Sequence, residues 1–256
     1  MSDQIRRAFA PVAANYVTSD FHAGAAWLEE VIELARPRPS DAVLDVATGT
    51  GHAALAVAPL VARVTGLDLT PEMLEQARRL AESRGVGNVE WVLGDAQALP
   101  FADSLFDTWI ARAAPHHFED LGAAIREAYR VLRPGGRLVV IDGSGPLEAR
   151  EHMHQVEMLR DPSHRLMYTL DEWRAILTAA GFGVETARLR RMDQEFEPWI
   201  TRIGFPADRV EELAAIVESS TGRAREQLRP ERRQGRLWHS YWHALIRAVK
   251  PAATRP

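Results

Sequence analysis

Asp45, Asp68 and Asp95 each stand at or just beyond the end of a short apolar run. Gly49-Thr50-Gly51 follows Asp45, and glycines there let the backbone turn tightly and approach a nucleotide ligand. Gly49 to Ala54 formally fits the dinucleotide pattern G-x-G-x-x-G/A, a weak match by itself. Asp45 speaks against a dinucleotide. A carboxylate inside the strand end would repel a pyrophosphate, whereas it can face the amino group of a methionine moiety. Asp68 can accept from both ribose hydroxyls and serves either kind of ligand. Asp95, in Gly94-Asp95-Ala96, can accept from the exocyclic amine of adenine.

A second set of residues could do proton chemistry. His116 and His117 follow an apolar run, and histidine has the right unperturbed pKa for a general base. The alternative is a histidine that only packs and hydrogen-bonds within its loop. Arg160-Asp161-Pro162-Ser163-His164 could orient a polar substrate group through Arg160 and His164, or could be an Asp-Pro turn with capping side chains. His116 is the favoured base, with His164 as the alternative. His152 and His154 do not suggest a metal, because residues two apart on a helix point to different faces. Arg223 to Arg236 carries six arginines against Glu226 and Glu231 and reads as a solvated helical face rather than an RNA site.

These residues need a frame. Ala42–Val46, Arg63–Leu67, Val89–Leu93, Phe106–Ala111 and Arg137–Asp142 read as five buried strands, with helices over His52–Pro59, Pro71–Ser83 and Leu121–Leu132 between them. Thr70-Pro71 opens the second of those helices. Alternation of strand and helix implies βαβ units and a parallel sheet, with ligands beyond the C-terminal strand ends. The fold expected is α/β, a Rossmann-like, doubly wound, seven-stranded and mostly parallel sheet. Leu170–Ala180 reads as a helix, Val184–Arg190 as a sixth strand and Leu237–Val249 as the last, antiparallel one. Residues 1–36 read as an N-terminal helical lid, and 37–256 as one domain with insertions at about 143–169 and 195–230.

The runs Val43–Gly51, Gly66–Leu74, Gly94–Phe101 and Glu127–Arg137 resemble, in order and spacing, the class I S-adenosyl-methionine-dependent methyltransferases. The likeness is to those similar to the ubiquinone/menaquinone-biosynthesis C-methyltransferases. The resemblance implies S-adenosyl-methionine as donor, S-adenosyl-homocysteine as product, and no metal. It implies a donor site at Asp45, Ala47, Gly49, Gly51, Asp68, Leu69, Met73, Gly94, Asp95, Ala96, Arg112 and His117, with Tyr16 and His22 closing over it. Ala47 stands where the family often has glycine. The acceptor expected is a small molecule methylated at oxygen or carbon by in-line displacement. The alternatives are an RNA methyltransferase and a donor-binding protein of the same fold that transfers no methyl.

Composition narrows the chemistry further. Cysteine is absent, which excludes disulfides, a cysteine nucleophile for cytosine C5-methylation and a cysteine-held iron–sulfur cluster. The chain has 46% hydrophobic and 26% charged residues and a net charge of −4, with no global basic field for nucleic acid or membrane. Lys250 is the only lysine among 31 basic residues. No apolar run approaches a membrane span and no signal peptide is visible, so the expectation is a cytoplasmic monomer or homodimer acting on a small-molecule substrate.

Overall fold

A computed structural model describes residues 2–252. Four helices come first: α1 (Ser2–Phe9), α2 (Ala13–Val17), α3 (Asp20–Ala23) and α4 (Ala25–Ala35). The alternating part follows: β1 (Ala42–Val46), α5 (His52–Val57), β2 (Arg63–Asp68), α6 (Pro71–Ser83), β3 (Val89–Leu93), β4 (Phe106–Arg112), α7 (Leu121–Val131) and β5 (Leu132–Ser144). The remainder is α8 (Leu147–Arg160), α9 (Leu170–Ala179), β6 (Gly183–Glu195), α10 (Phe196–Thr201), α11 (Val210–Glu218), α12 (Gly222–Leu228), β7 (Glu231–Arg233) and β8 (Arg236–Val249).

The sheet runs β3-β2-β1-β4-β5-β8-β6, with the short β7 paired on β8. The first five strands are parallel, and β8 is antiparallel to both β5 and β6. The order reverses at β1, whose neighbours are β2 and β4, so a crevice opens past the carboxyl ends of β1 and β4. Alternation along β1 explains the layering. Leu44 and Val46 face the layer of α7 and α9, built around Trp109 and Trp173, while Val43 faces α4 and α5. A third cluster, with Phe196, Trp199, Leu213 and Leu237, joins α8, α10 and α11 to β8. Ala13, Tyr16 and Met73 form a fourth, which pins α2 to α6.

Several expectations are lengthened or divided. The sixth strand continues to Glu195 and pairs with β8 along its length. The N-terminal segment expected to be helical is divided into four helices over Ser2–Ala35. Pro134-Gly135-Gly136 lies inside β5 at a register shift, held by Gly135 N–H to Lys250 O (2.8 Å) and Lys250 N–H to Gly136 O (2.9 Å). The arginine-rich run is not one helical face. It covers α12, β7 and the start of β8, and acids meet its side chains: Arg232 pairs with Glu211 and Glu218, Arg236 with Glu195, and Arg223 with Glu148. Among the described residues no helix is long and apolar enough to cross a membrane.

Candidate active site

A cavity of about 360 Å³ lies in the crevice past β1, β2 and β4. Its floor is the loop after β1. Ala47, Gly49 and Gly51 all have positive φ (51°, 56° and 83°), which turns the chain sharply into α5. Three carboxylates face the cavity from three strand ends. Asp45 accepts from Thr48 Oγ1 (2.5 Å) and from Ala54 N–H (3.0 Å), both on Oδ2, which leaves Oδ1 for a ligand. Burial pushes its pKa up to about 6, against the pull of those hydrogen bonds. Asp68 accepts from Gly49 N–H (2.7 Å) on one oxygen and Thr70 N–H (2.9 Å) on the other, so it also holds the glycine loop in place. Burial raises its pKa too. Asp95 uses Oδ1 for Gln97 N–H (2.8 Å) and leaves Oδ2. Ile5, Phe9, Tyr16 and His22 of the N-terminal helices wall the other side. Arg6 Nε donates to Leu69 O (3.0 Å) and the His52 ring meets Tyr16 O (3.2 Å), which fastens those helices to the sheet edge.

A second cavity of about 60 Å³ shares Phe9, Tyr16, His22, Ala113 and His117 with the first. Its remaining walls are polar: His116, Glu157, Arg160, Asp161, Gln194, Arg202, Tyr241 and His243, with Trp199 and Gly143. His116 Nδ1 donates to Asp142 Oδ1 (2.6 Å), and its backbone N–H donates to Oδ2 (2.8 Å). Burial works against the protonated ring, but the Asp142 carboxylate outweighs it and raises the His116 pKa above the ordinary value. The neighbours go the other way. His117 is pushed down to about 3 by burial and by the charge on His116. Burial depresses His164 strongly, and His116 adds to it. Glu157 bridges Tyr241 Oη (2.8 Å) and Arg160 Nη1 (3.2 Å).

Residues 44–140 match the family model described as a methyltransferase domain. The protein named uncharacterized methyltransferase YcgJ in Bacillus subtilis is 36% identical over 198 residues, covering 77% of this chain and 78% of that one. The chain belongs to the class I S-adenosyl-methionine-dependent methyltransferases. The solved structure of YcgJ from B. subtilis superposes on this methyltransferase with a TM-score of 0.82 at 33% identity, covering 88% of this chain and 98% of that one. The demethylmenaquinone methyltransferase of Thermus thermophilus is 42% identical over 128 residues, 49% of this chain and 58% of its own.

In this methyltransferase the structure brings Tyr16, His22, Asp45, Ala47, Gly49, Asp68, Leu69, Met73, Gly94, Asp95, Ala96, Arg112 and His117 to the larger cavity. Gly51 is not in its wall. A Cβ there would sit 2.5 Å from the Trp91 ring, so Gly51 is needed for packing under the loop. Arg160 and His116 reach the smaller cavity. His164 reaches neither. It lies buried with its ring 5.3 Å from that of His116 and meets His154 Nδ1 through Nε2 (3.1 Å). His152 turns to Glu148 O (3.2 Å), away from His154. Among the described residues no group of three or more His, Asp or Glu is placed to hold a metal.

Sequence reading missed Thr48, Thr50 and Thr70 in the larger cavity and Glu157, Arg202, Tyr241 and His243 in the smaller. Two signals were available. His239, Tyr241 and His243 occupy alternate positions of a mostly apolar strand, so they share a face. Glu157 and Arg160 are three apart on one helix face.

Proposed function

We propose that the larger cavity holds S-adenosyl-methionine and that the smaller receives a small-molecule acceptor methylated at oxygen or carbon. The observation that carries this reading is the common wall. A polar chamber holding an aspartate-oriented histidine adjoins a nucleoside-sized cavity lined by three carboxylates. The chain fits the donor: Asp45 keeps an unused carboxylate oxygen for an ammonium, Asp68 stands at the ribose position and Asp95 keeps one oxygen for the adenine amine. When bound, the donor supplies a methyl group already activated by its sulfonium, and the electron pair of the broken C–S bond stays on sulfur.

The protein's part is alignment and proton transfer. Holding the acceptor in line with the methyl carbon can supply most of the acceleration. Asp142 fixes the His116 tautomer with hydrogen on Nδ1, so Nε2 is the basic atom and takes the acceptor's proton. His117 and His164, with strongly lowered pKa values, are poor bases. Residues 1–36 act as a lid that excludes water, with the segments at 143–169 and 195–230 shaping the acceptor side. The ion-paired arginines of 223–236 favour a small molecule over RNA.

The test is incubation with S-adenosyl-methionine labelled in the methyl group and fractionated small metabolites. Label is expected in a small organic product, with S-adenosyl-homocysteine formed in equal amount. Label entering only tRNA, with transfer lost at high salt, would support the RNA reading instead. Tight donor binding with no transfer to any fraction would leave a binding protein.

A further inference from the structure

Asp95 reaches the larger cavity from the loop after β3, the edge strand of the sheet, and is only half-buried. A half-buried carboxylate on a loop turns easily about its side-chain torsions unless partners hold it. Two donors hold this one, and both belong to Gln97. The Gln97 backbone N–H reaches Oδ1 at 2.8 Å, and the Gln97 side-chain Nε2 reaches the same oxygen at 3.2 Å. Among the described residues Oδ2 meets no donor.

The backbone bond is a local turn, from a side chain to the residue two further on, and does not depend on the residue type at 97. The side-chain bond depends on glutamine, and it is anchored at its far end. Gln97 Oε1 accepts from Asp120 N–H (2.6 Å), at the N-cap of α7. That N-cap is itself fixed. Asp120 Oδ1 accepts from Ala123 N–H (2.8 Å), and Leu121, Ala124 and Ile125 of α7 are buried in the core. The orientation of the amide is forced, since its oxygen must face a backbone donor and its NH₂ a carboxylate. A chain of constraint therefore runs from α7 through Gln97 to Asp95. It joins two loops, around 94–97 and 113–119, that both line the cavity.

We propose that Gln97 is a positioning residue for donor selectivity: it locks Oδ1 of Asp95 and so leaves Oδ2 to accept from the amino group of an adenine ring. This rests on the donor reading above and assigns how the site tells adenine from a purine without that amine. An ionised carboxylate offers only acceptors. A ligand with the amine completes it, and a ligand with hydrogen in that place leaves it unmet. Polar sites discriminate most strongly on differences of that kind.

Calorimetry on the full chain tests it with two probes. One is S-adenosyl-homocysteine, and the other is its analogue with unsubstituted purine in place of adenine, which lacks only the amine. The unmutated chain is expected to prefer S-adenosyl-homocysteine at least about tenfold, the scale of a hydrogen bond to a charged group. Gln97→Met keeps the length of the side chain and removes both of its hydrogen bonds. It should cut the preference to below about threefold, by weakening S-adenosyl-homocysteine while the purine analogue stays within about twofold. Asp95→Asn should lose the preference as well. Adding Gln97→Met to it should change the preference no further, because Gln97 acts through Asp95. Should Gln97→Met fail to fold, Gln97→Glu gives a second readout. It keeps an oxygen for Asp120 N–H but sets another against Asp95, and the preference should fall again. An undiminished preference in the Gln97 variants overturns the proposal, as does equal weakening of both probes, the mark of a merely structural role. A further loss of preference in the double variant overturns it too. Equal binding of the two probes to the unmutated chain overturns it while leaving the donor cavity in place. Failure of the unmutated chain to bind either probe brings down the donor-site reading, and the role of Gln97 with it.

Discussion

His116 and Asp45 are both moved upward, one by a partner that favours its charged form and the other by burial that disfavours it. His116 is drawn upward by Asp142, so its neutral, basic form is lost as pH falls through a value above the ordinary 6.5. Turnover should therefore have its acid limb above pH 6.5, and Asp142→Asn should move that limb downward and lower kcat. A limb that stays put in Asp142→Asn would separate the two residues. His116→Gln should cost about 10²–10⁴ in turnover while S-adenosyl-homocysteine affinity holds, the range for a positioned base. Near-full turnover in that variant would leave catalysis to alignment alone. For Asp45 the same upward move works against the charged form. Its folded pKa of about 6 exceeds the ordinary 3.8, so the ionised form destabilises the empty protein above pH 6, and that cost vanishes below 3.8. Asp45→Asn keeps one oxygen for Thr48 and Ala54. It should raise the melting temperature of the ligand-free chain at pH 7, with the gain shrinking toward pH 4, and weaken S-adenosyl-homocysteine binding about 10–100-fold, the loss of a hydrogen bond to a charged group.

At the scale of elements, the loop from β1 to α5 stores strain where the ligand approaches. Ala47 holds φ 51°, a left-handed conformation that costs an L-residue on the order of 1–2 kcal/mol. Ala47→Gly relieves it and adds some entropy to the unfolded chain, so a net gain of about 0.5–1 kcal/mol is expected in thermal unfolding. Gly51→Ala should do the reverse and cost roughly 1–3 kcal/mol, since its methyl would meet the Trp91 ring. Equal melting temperatures for the two variants would mean the loop relaxes without cost. Much of this element was legible beforehand, because Asp45, Gly49 and the strand before them are local signals. The packing role of Gly51 was not, since Trp91 lies on β3, two strands away in the sheet. The helix at Pro71 starts where the Thr70-Pro71 pair predicts, because proline at the first helical position acts through its own backbone.

For the whole molecule, the N-terminal helices matter most. They touch both cavities through Phe9, Tyr16 and His22, and they reach the later part of the chain through Asn15 Nδ2 to Arg202 O (3.2 Å) and a Gln4 side-chain bond to Pro162 O. Ligand binding should knit these pieces together. Limited proteolysis is expected to cut within residues 1–36 faster without S-adenosyl-homocysteine than with it, while cleavage elsewhere changes little. Identical N-terminal cutting in both states would make this segment a fixed wall rather than a lid.

The order of strands and helices through Asp142, and the three carboxylates that line the larger cavity, were legible in the sequence alone. Their signals are short-range: apolar runs, turn residues and acids at strand ends all speak within a few positions. The smaller cavity was decided by tertiary structure. Tyr16, His116, Arg160, Arg202 and His243 come from five separated segments, and nothing local to any of them says that they meet. His116 and His164 show the same division. In the sequence His116 is the favoured base and His164 its alternative, and both lie outside the regular helices and strands, yet one faces the cavity with Asp142 on its Nδ1 and the other is sealed behind it against His154. Burial and the charge of neighbours set the acid–base character of a histidine, and both exist only once distant parts of the chain have packed.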